Sequence, residues 1–305
     1  SNKTASIKSI VDVGIKEVWD IEVECDHSYC SQGFINHNSC KQPNIQNVPR
    51  GSHMRKLFVA RHGYAYIIAD FSQIELRVEA AVSQDPMLLQ CFWNDEDVHT
   101  MVAKQVLGKG PNEEVTKEER NIAKGINFGL IYGRQAYSLA QELKISEEDA
   151  QSFIDTYFKK FCGVTRYNER QIELARREGR VWTLFGRYRH LPDINNKINK
   201  IRASAERQAM NSPVQGTAAD CTNKAAVDIF QAIKDRAIDA HIVNHVHDEL
   251  VIEVHIAHVQ EVAKLVYNIM RYTAETVLKL PVQVDMLVND QWYEPDSKKE
   301  PEEYE

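Results

Sequence analysis

Two apolar runs that each deliver an aspartate constrain this 305-residue chain more than any other feature. Tyr66-Ile-Ile-Ala reads as an apolar strand, with Asp70 at its end. Ile242–Val246 and Glu249–Val254 read as the two strands of a hairpin with His247-Asp248 at its tip. A carboxylate at the end of a buried strand is held rigidly while it stays wetted. Two of them on neighbouring strands suit a pair of Mg²⁺ ions, because Mg²⁺ takes one or two carboxylates together with substrate phosphates. Two metals about 4 Å apart can stabilise the attacking and leaving oxygens of an in-line phosphoryl transfer. A lone aspartate in such a place is more often a turn or cap residue. The surrounding sequence therefore has to decide.

Between and around these runs the periodicity is mostly helical. Helices are expected from about Gln73 to Ser83, over much of residues 86–180, over 198–235 with an interruption at Asn211-Ser-Pro213, and over about 257–279. Thr116 and Glu119 form a capping-box pattern, and Ser146 and Asp149 a related one. Val282–Leu287 reads as a last strand, and the charged tail from Pro295 to Glu305 reads as disordered. Residues 1–38 differ: Val11–Gly14 and Val18–Glu24 alternate as half-buried strands do, Ser31-Gln-Gly33 is turn-like, and Phe34-Ile35 is a short strand. That piece is β-rich and has too little apolar surface to fold alone.

With 37 Lys and Arg against 44 Asp and Glu, the net charge of −7 excludes a uniformly basic nucleic-acid coat but not a local basic channel. The six cysteines are scattered without a Cys-x-x-Cys pair, which argues against a zinc site or a disulfide framework. No apolar run approaches the roughly 20 residues of a membrane span. No membrane partner is expected, and a cytoplasmic location is.

On the helix between the two aspartates, Arg120, Lys124 and Phe128 recur every four residues, so each step drifts only about 40° around the axis. Tyr132 extends the stripe near Gly133. Two cations and two aromatics on one stripe suit an incoming nucleotide. A solvated Lys/Arg row beside core aromatics is the alternative.

Three words decide in favour of the sharper reading. Asp70-Phe-Ser-Gln-Ile-Glu-Leu-Arg77 resembles motif A of family A (polymerase I-like) DNA polymerases, Arg120-Asn-Ile-Ala-Lys124-Gly-Ile-Asn-Phe128-Gly-Leu-Ile-Tyr132-Gly133 resembles motif B, and Val246-His-Asp-Glu-Leu250 resembles motif C. Pro43–Pro49, Asp97–Thr100, Thr183–Arg187 and Asn211–Asp220 also look like segments of that family, so the resemblance covers roughly residues 39–294.

The resemblance implies an α/β (α+β) fold, a palm with an antiparallel sheet plus helical fingers. The palm would hold residues 39–84 and 206–294, the fingers mainly 85–205. It implies DNA-directed DNA synthesis with Mg²⁺ (two ions) on Asp70 and Asp248, dNTPs and primer–template DNA as partners, and Lys124 assisting the pyrophosphate leaving group. Arg120, Lys124, Phe128, Tyr132, Glu75, His99 and Gln73 would meet the nucleotide, Glu75 as the steric gate against a ribose 2′-OH. Phe128 would disfavour dideoxynucleotides. Arg207, Asn211, Gln215 and His247 would contact DNA, the first three in the minor groove, and the Arg- and Lys-rich stretch Arg166–Arg207 would face its phosphates. Two positions depart from the pattern: His245 stands where Gln is common, and Phe71 where Tyr is common.

The front piece resembles the last two conserved blocks of an intein in Val18–Glu24, His27 and Gly33-Phe-Ile-Asn-His37-Asn38-Ser39. The resemblance implies a small all-β (HINT-type) fragment over residues 1–38. Asn38 would cyclise and cleave the 38–39 bond, His27 and His37 would assist, and Ser39 would accept the upstream acyl group. It also implies trans-splicing to a separate N-terminal fragment that carries the rest of the polymerase and the other intein half.

Overall fold

The computed structural model describes residues 28–31, 34–37, 48, 54–110, 112–131 and 133–293. The strands expected at Val11–Gly14 and Val18–Glu24, the tail 295–305, and His27, Asn38, Ser39 and Tyr132 lie outside them. At the front, β1 (Ser28–Ser31) and β2 (Phe34–His37) pair antiparallel, with Ser28 opposite His37. The sequence reading had only the start of β2; β1 is an addition.

The centre of the molecule is a four-stranded antiparallel sheet in the order β6-β7-β3-β8. Its strands are β3 (Tyr64–Phe71), β6 (Ala240–Val246), β7 (Glu249–His255) and β8 (Val284–Asn289). β3 is paired along both edges, which is why its sequence is almost continuously apolar. Ile67, Ala69 and Phe71 point into the main core, while Tyr66 and Ile68 pack on the other face with Val246, Val251 and Trp292. Phe71 is buried within the main apolar core.

Helices cover the core face of the sheet. α1 (Ile74–Ser83) follows β3 directly. Arg77 fastens that corner from within: it donates to Ser72 O at 3.0 Å and Pro281 O at 2.5 Å, and its guanidinium lies over the Phe92 ring. α2 (Pro86–Trp93), α3 (Val98–Val106), α4 (Lys117–Ile131), α5 (Ala136–Leu143), α6 (Glu147–Lys160) and α7 (Cys162–Glu178) continue the helical half. α9 (Val259–Leu278) lays Val262, Val266 and Met270, spaced four apart, into the same core. One continuous core joins β3 and α1 to α3, α5 and α6. A small hairpin, β4 (Arg180–Trp182) with β5 (Tyr188–His190), packs on α7 and on α8 (Asn199–Asp235) and was not expected from the sequence.

Both cap patterns form. Glu119 N donates to Thr116 Oγ1 at 3.2 Å and Thr116 N to Glu119 Oε2 at 2.8 Å, opening α4; Asp149 N donates to Ser146 Oγ at 3.0 Å, opening α6. The interruption expected at Asn211-Ser-Pro213 does not occur: α8 runs unbroken from Asn199 to Asp235. Proline removes one backbone donor and crowds the preceding turn, at about 3 kcal/mol in an isolated helix. Here Ala209, Pro213, Val214, Thr217 and Ala218 are all buried, so packing on both sides of the proline holds the helix through it.

Candidate active site

The sheet brings the two aspartates together. Asp70 on β3 pairs with Glu249, the residue after Asp248, and Phe71 N donates to Asp248 O at 3.4 Å. The turn between β6 and β7 thus closes over the end of β3. Asp70 is almost buried and Asp248 half-buried. Asp285 on β8 pairs with Asp70 from the other side, so Glu249, Asp70 and Asp285 form one row across three strands.

Glu249 and Asp285 were not assigned roles from the sequence. Glu249 is fully buried; it accepts from Trp292 Nε1 at 2.7 Å, and Arg55 Nη1 reaches its two oxygens at 3.3 and 3.4 Å. The Arg55 guanidinium also stacks over the Trp292 ring at 4.1 Å. The carboxylate beside Asp248 is therefore committed to a buried clamp at the base of the turn. An acidic residue opening an otherwise apolar strand was the available signal; its partners, 194 positions and 43 positions away, were not readable.

His247 takes a left-handed backbone, φ 57°, at the first turn position. A non-glycine residue there is uncommon, though histidine tolerates it better than most. His245 secures it: its Nε2 donates to His247 O at 3.0 Å. Burial holds the His245 ring below its ordinary pKa. The position that departs from the family pattern thus supports the aspartate turn from beneath. A β-bulge between Ile242 and Asn244 sets the phase of this stretch.

On α4, Lys124 is exposed, and Arg120 and Phe128 are half-buried. Arg120 is held by Asp97: Nε donates to Oδ2 at 2.7 Å and Nη2 to Oδ1 at 2.9 Å. His99 is buried, 5.7 Å from the Phe128 ring between centroids, with Nδ1 3.0 Å from Asn127 Nδ2. Burial lowers the His99 pKa to about 4, so the ring is neutral.

Gln73, with φ 54°, forms the left-handed entry to α1, and Glu75 lies half-buried in its first turn. Arg207, Asn211 and Gln215 form a half-buried stripe along α8. Arg207 packs its aliphatic stem against Gly133, where a Cβ would come within 3.0 Å of Arg207 Cγ, so the stripe meets the end of α4. Gln215 lines a cavity of about 260 Å³ with Arg187, Arg189 and Ser212. The basic stretch is less free than its composition suggests: Arg176 pairs with Glu206 and Arg187 with Asp220.

Among the described residues, no three His, Cys, Asp or Glu side chains gather into a metal cage. A donor set of two carboxylates on adjoining strand ends fits Mg²⁺, which keeps waters and substrate phosphates in its shell. It does not fit a structural zinc, which wants four protein ligands of nitrogen or sulfur.

Residues 22–294 match the sequence profile of DNA polymerase family A. The match begins inside the 1–38 segment read as a splicing fragment. DNA polymerase I of Pseudomonas aeruginosa is 42% identical over 260 residues, 84% of this chain and 28% of that protein. The thermostable DNA polymerase I of Thermus aquaticus is 40% identical over 258 residues, 83% of this chain and 30% of that protein. The chain thus spans under a third of the length of these relatives. A solved structure of the POL domain of Pol1 from M. smegmatis, in complex with DNA primer-template and dNTP, superposes with a TM-score of 0.78 at 38% identity, covering 85% of this chain and 46% of that one. With the family's sequence profile matched over most of its length and the polymerase-domain fold beneath it, the chain belongs to DNA polymerase family A.

Proposed function

We propose that this chain carries the nucleotidyl-transfer centre of a DNA-directed DNA polymerase. The observation that carries the reading is the hydrogen bond from Phe71 N to Asp248 O, which fixes the Asp248 turn against the strand end bearing Asp70. In this reading residues 39–84 and 206–294 act as the palm, and 85–205 mainly as the fingers. Asp70 and Asp248 would hold the two Mg²⁺ ions, which would supply charge neutralisation for the phosphoryl transfer. The primer 3′-OH attacks the α-phosphate of a dNTP, and pyrophosphate leaves. Arg120, Lys124 and His99 meet the triphosphate, with Lys124 nearest the leaving group. Phe128 packs on the sugar and base and disfavours dideoxynucleotides, and Tyr132 lies at the template base. Gln73 shapes the entry to α1, and Glu75 crowds a ribose 2′-OH. Arg207, Asn211, Gln215 and His247 contact primer–template DNA.

The test is Mg²⁺-dependent incorporation on a primed template, measured on the full chain before and after splicing. Asp70→Asn and Asp248→Asn should each lower the rate by roughly 10²–10³-fold or more while leaving DNA affinity nearly unchanged. Retained activity in either variant overturns the assignment.

We also propose that residues 1–38 act as the C-terminal fragment of a split intein. The pairing of β1 with β2 supports this by setting Ser28, next to His27, opposite His37. The Asn38 side-chain nitrogen attacks its own main-chain carbonyl, forming a succinimide and releasing the Ser39 amine, with His37 donating the proton. Ser39 Oγ first takes the upstream acyl group, which then shifts to that amine. Mixing with a polypeptide bearing the complementary fragment should yield a ligated product joined at Ser39. Ligation that proceeds normally in Ser39→Ala overturns the mechanism.

A further inference from the structure

Asp97 concentrates four hydrogen bonds on one carboxylate. It is the N-cap of α3, where Oδ2 accepts from Thr100 N at 3.0 Å and from Thr100 Oγ1 at 2.5 Å. The same Oδ2 accepts from Arg120 Nε at 2.7 Å, and Oδ1 from Arg120 Nη2 at 2.9 Å. This is the planar fork that a guanidinium offers a carboxylate. Burial alone would raise the Asp97 pKa; the bonds from Arg120 and Thr100 outweigh it and hold the group at about 2. One edge of the Arg120 guanidinium is thereby fixed. Its remaining nitrogen, Nη1, makes no hydrogen bond to any described residue. Two residues beyond the cap sits His99, and one helical turn beyond Arg120 sits Lys124.

We propose that Asp97 is a positioning residue for nucleotide binding. It holds Arg120 by its Nε edge so that Nη1 faces the triphosphate, and through the α3 cap it ties that guanidinium to His99. The inference rests on reading α4 as the nucleotide-binding helix. A free arginine side chain samples many rotamers, and much of that freedom must be given up on binding a phosphate. An arginine already locked by one edge surrenders less, which is the gain from preorganisation.

The competing expectation has the opposite sign. If Asp97 were only a staple between α3 and α4, removing its negative charge near a polyanion would tighten nucleotide binding or leave it unchanged. Positioning requires that binding weaken.

The informative variant is Asp97→Asn. Asparagine caps a helix as well as aspartate does, but its amide nitrogen cannot accept from the guanidinium. On the full chain, and on its ligated product, single-nucleotide incorporation would be measured together with equilibrium dNTP binding to a complex whose primer ends in a dideoxynucleotide. Asp97→Asn should raise the dNTP KM and Kd about 5–10-fold, with kcat and primer–template Kd within about 2-fold. Asp97→Glu, which still reaches the guanidinium, should recover part of the loss. A wild-type chain that incorporates nothing in either form refutes the proposed function. An active wild type with an unchanged or lower KM in Asp97→Asn overturns the positioning role alone. Should Asp97→Asn fail to fold, Thr100→Val, which removes one of the four bonds, should raise KM about 2-fold at constant kcat; an unchanged KM overturns the proposal.

Discussion

Glu79 on α1 is a carboxyl that the proposed chemistry does not use, and it lies buried at a narrow cavity that Tyr157, Met210 and Asn211 also line. Burial, helped by the charge of Asp85, raises its pKa from 4.5 to about 8. The folded protein therefore keeps a proton that the unfolded chain releases near 4.5. The stability this group contributes is fully present below that value, falls as pH rises toward 8, and is flat above it. Thermal melts of the wild type should show this decline between pH 5 and 8.5, and Glu79→Gln should flatten it. Glu79→Leu should stabilise at pH 8.5 by about 1–3 kcal/mol, because it removes a buried carboxyl that ionises there at a desolvation cost. A wild-type curve that rises over that range refutes the assignment. The sequence placed Glu79 on a helix; it did not say which face would be closed off, because that depends on α6 and α8 arriving from far along the chain.

At the scale of elements, the joint between α2 and α7 is set by one side chain and one missing side chain. Asp85 caps α2 by accepting from Met87 N at 3.0 Å and Leu88 N at 3.4 Å, and it also accepts from Gly163 N at 2.8 Å at the start of α7. Pro86 at the first helical position fits that cap. A Cβ on residue 163 would lie 2.5 Å from Asp85 Cα, a clash with backbone that no rotamer relieves. Gly163→Ala should therefore cost about 1–3 kcal/mol, the range for overpacking, read as a lowered denaturant midpoint at unchanged slope. An unaffected midpoint would mean that the helices separate freely. The caps at Thr116 and Ser146 were legible because their partners lie three residues away. Asp85-Pro86 offered the same local signal, yet the contact with Gly163 spans 78 positions and was not legible.

Over the whole molecule, a net charge of −7 coexists with an arginine-rich flank on α7, the β4–β5 hairpin and α8. Within that flank Arg176 is paired with Glu206 and Arg187 with Asp220, so not every cation of Arg166–Arg207 is offered to DNA. Arg207, which meets the end of α4, is the better probe of duplex contact. If it contacts a phosphate, Arg207→Ala should reduce the slope of log affinity against log salt by about 1. If it meets the minor-groove edge instead, the slope should hold while affinity falls. Fluorescence anisotropy over a salt series separates the two, and no change in either quantity removes Arg207 from the DNA interface.

The sequence by itself determined the local order: apolar runs that had to be strands, stripes repeating every four residues, cap pairs three residues apart, and the three words carrying Asp70, Arg120–Gly133 and Asp248. These follow from short-range periodicity and backbone geometry. Only the tertiary structure decided partners and continuity: Glu249 taken by Arg55 and Trp292, Arg120 taken by Asp97, and α8 carried unbroken through Pro213. The reason is physical. A buried charge must find its counter-charge wherever folding brings one, and a strained helix persists when packing outweighs the lost hydrogen bond. Both depend on residues tens to hundreds of positions away, which no local pattern encodes.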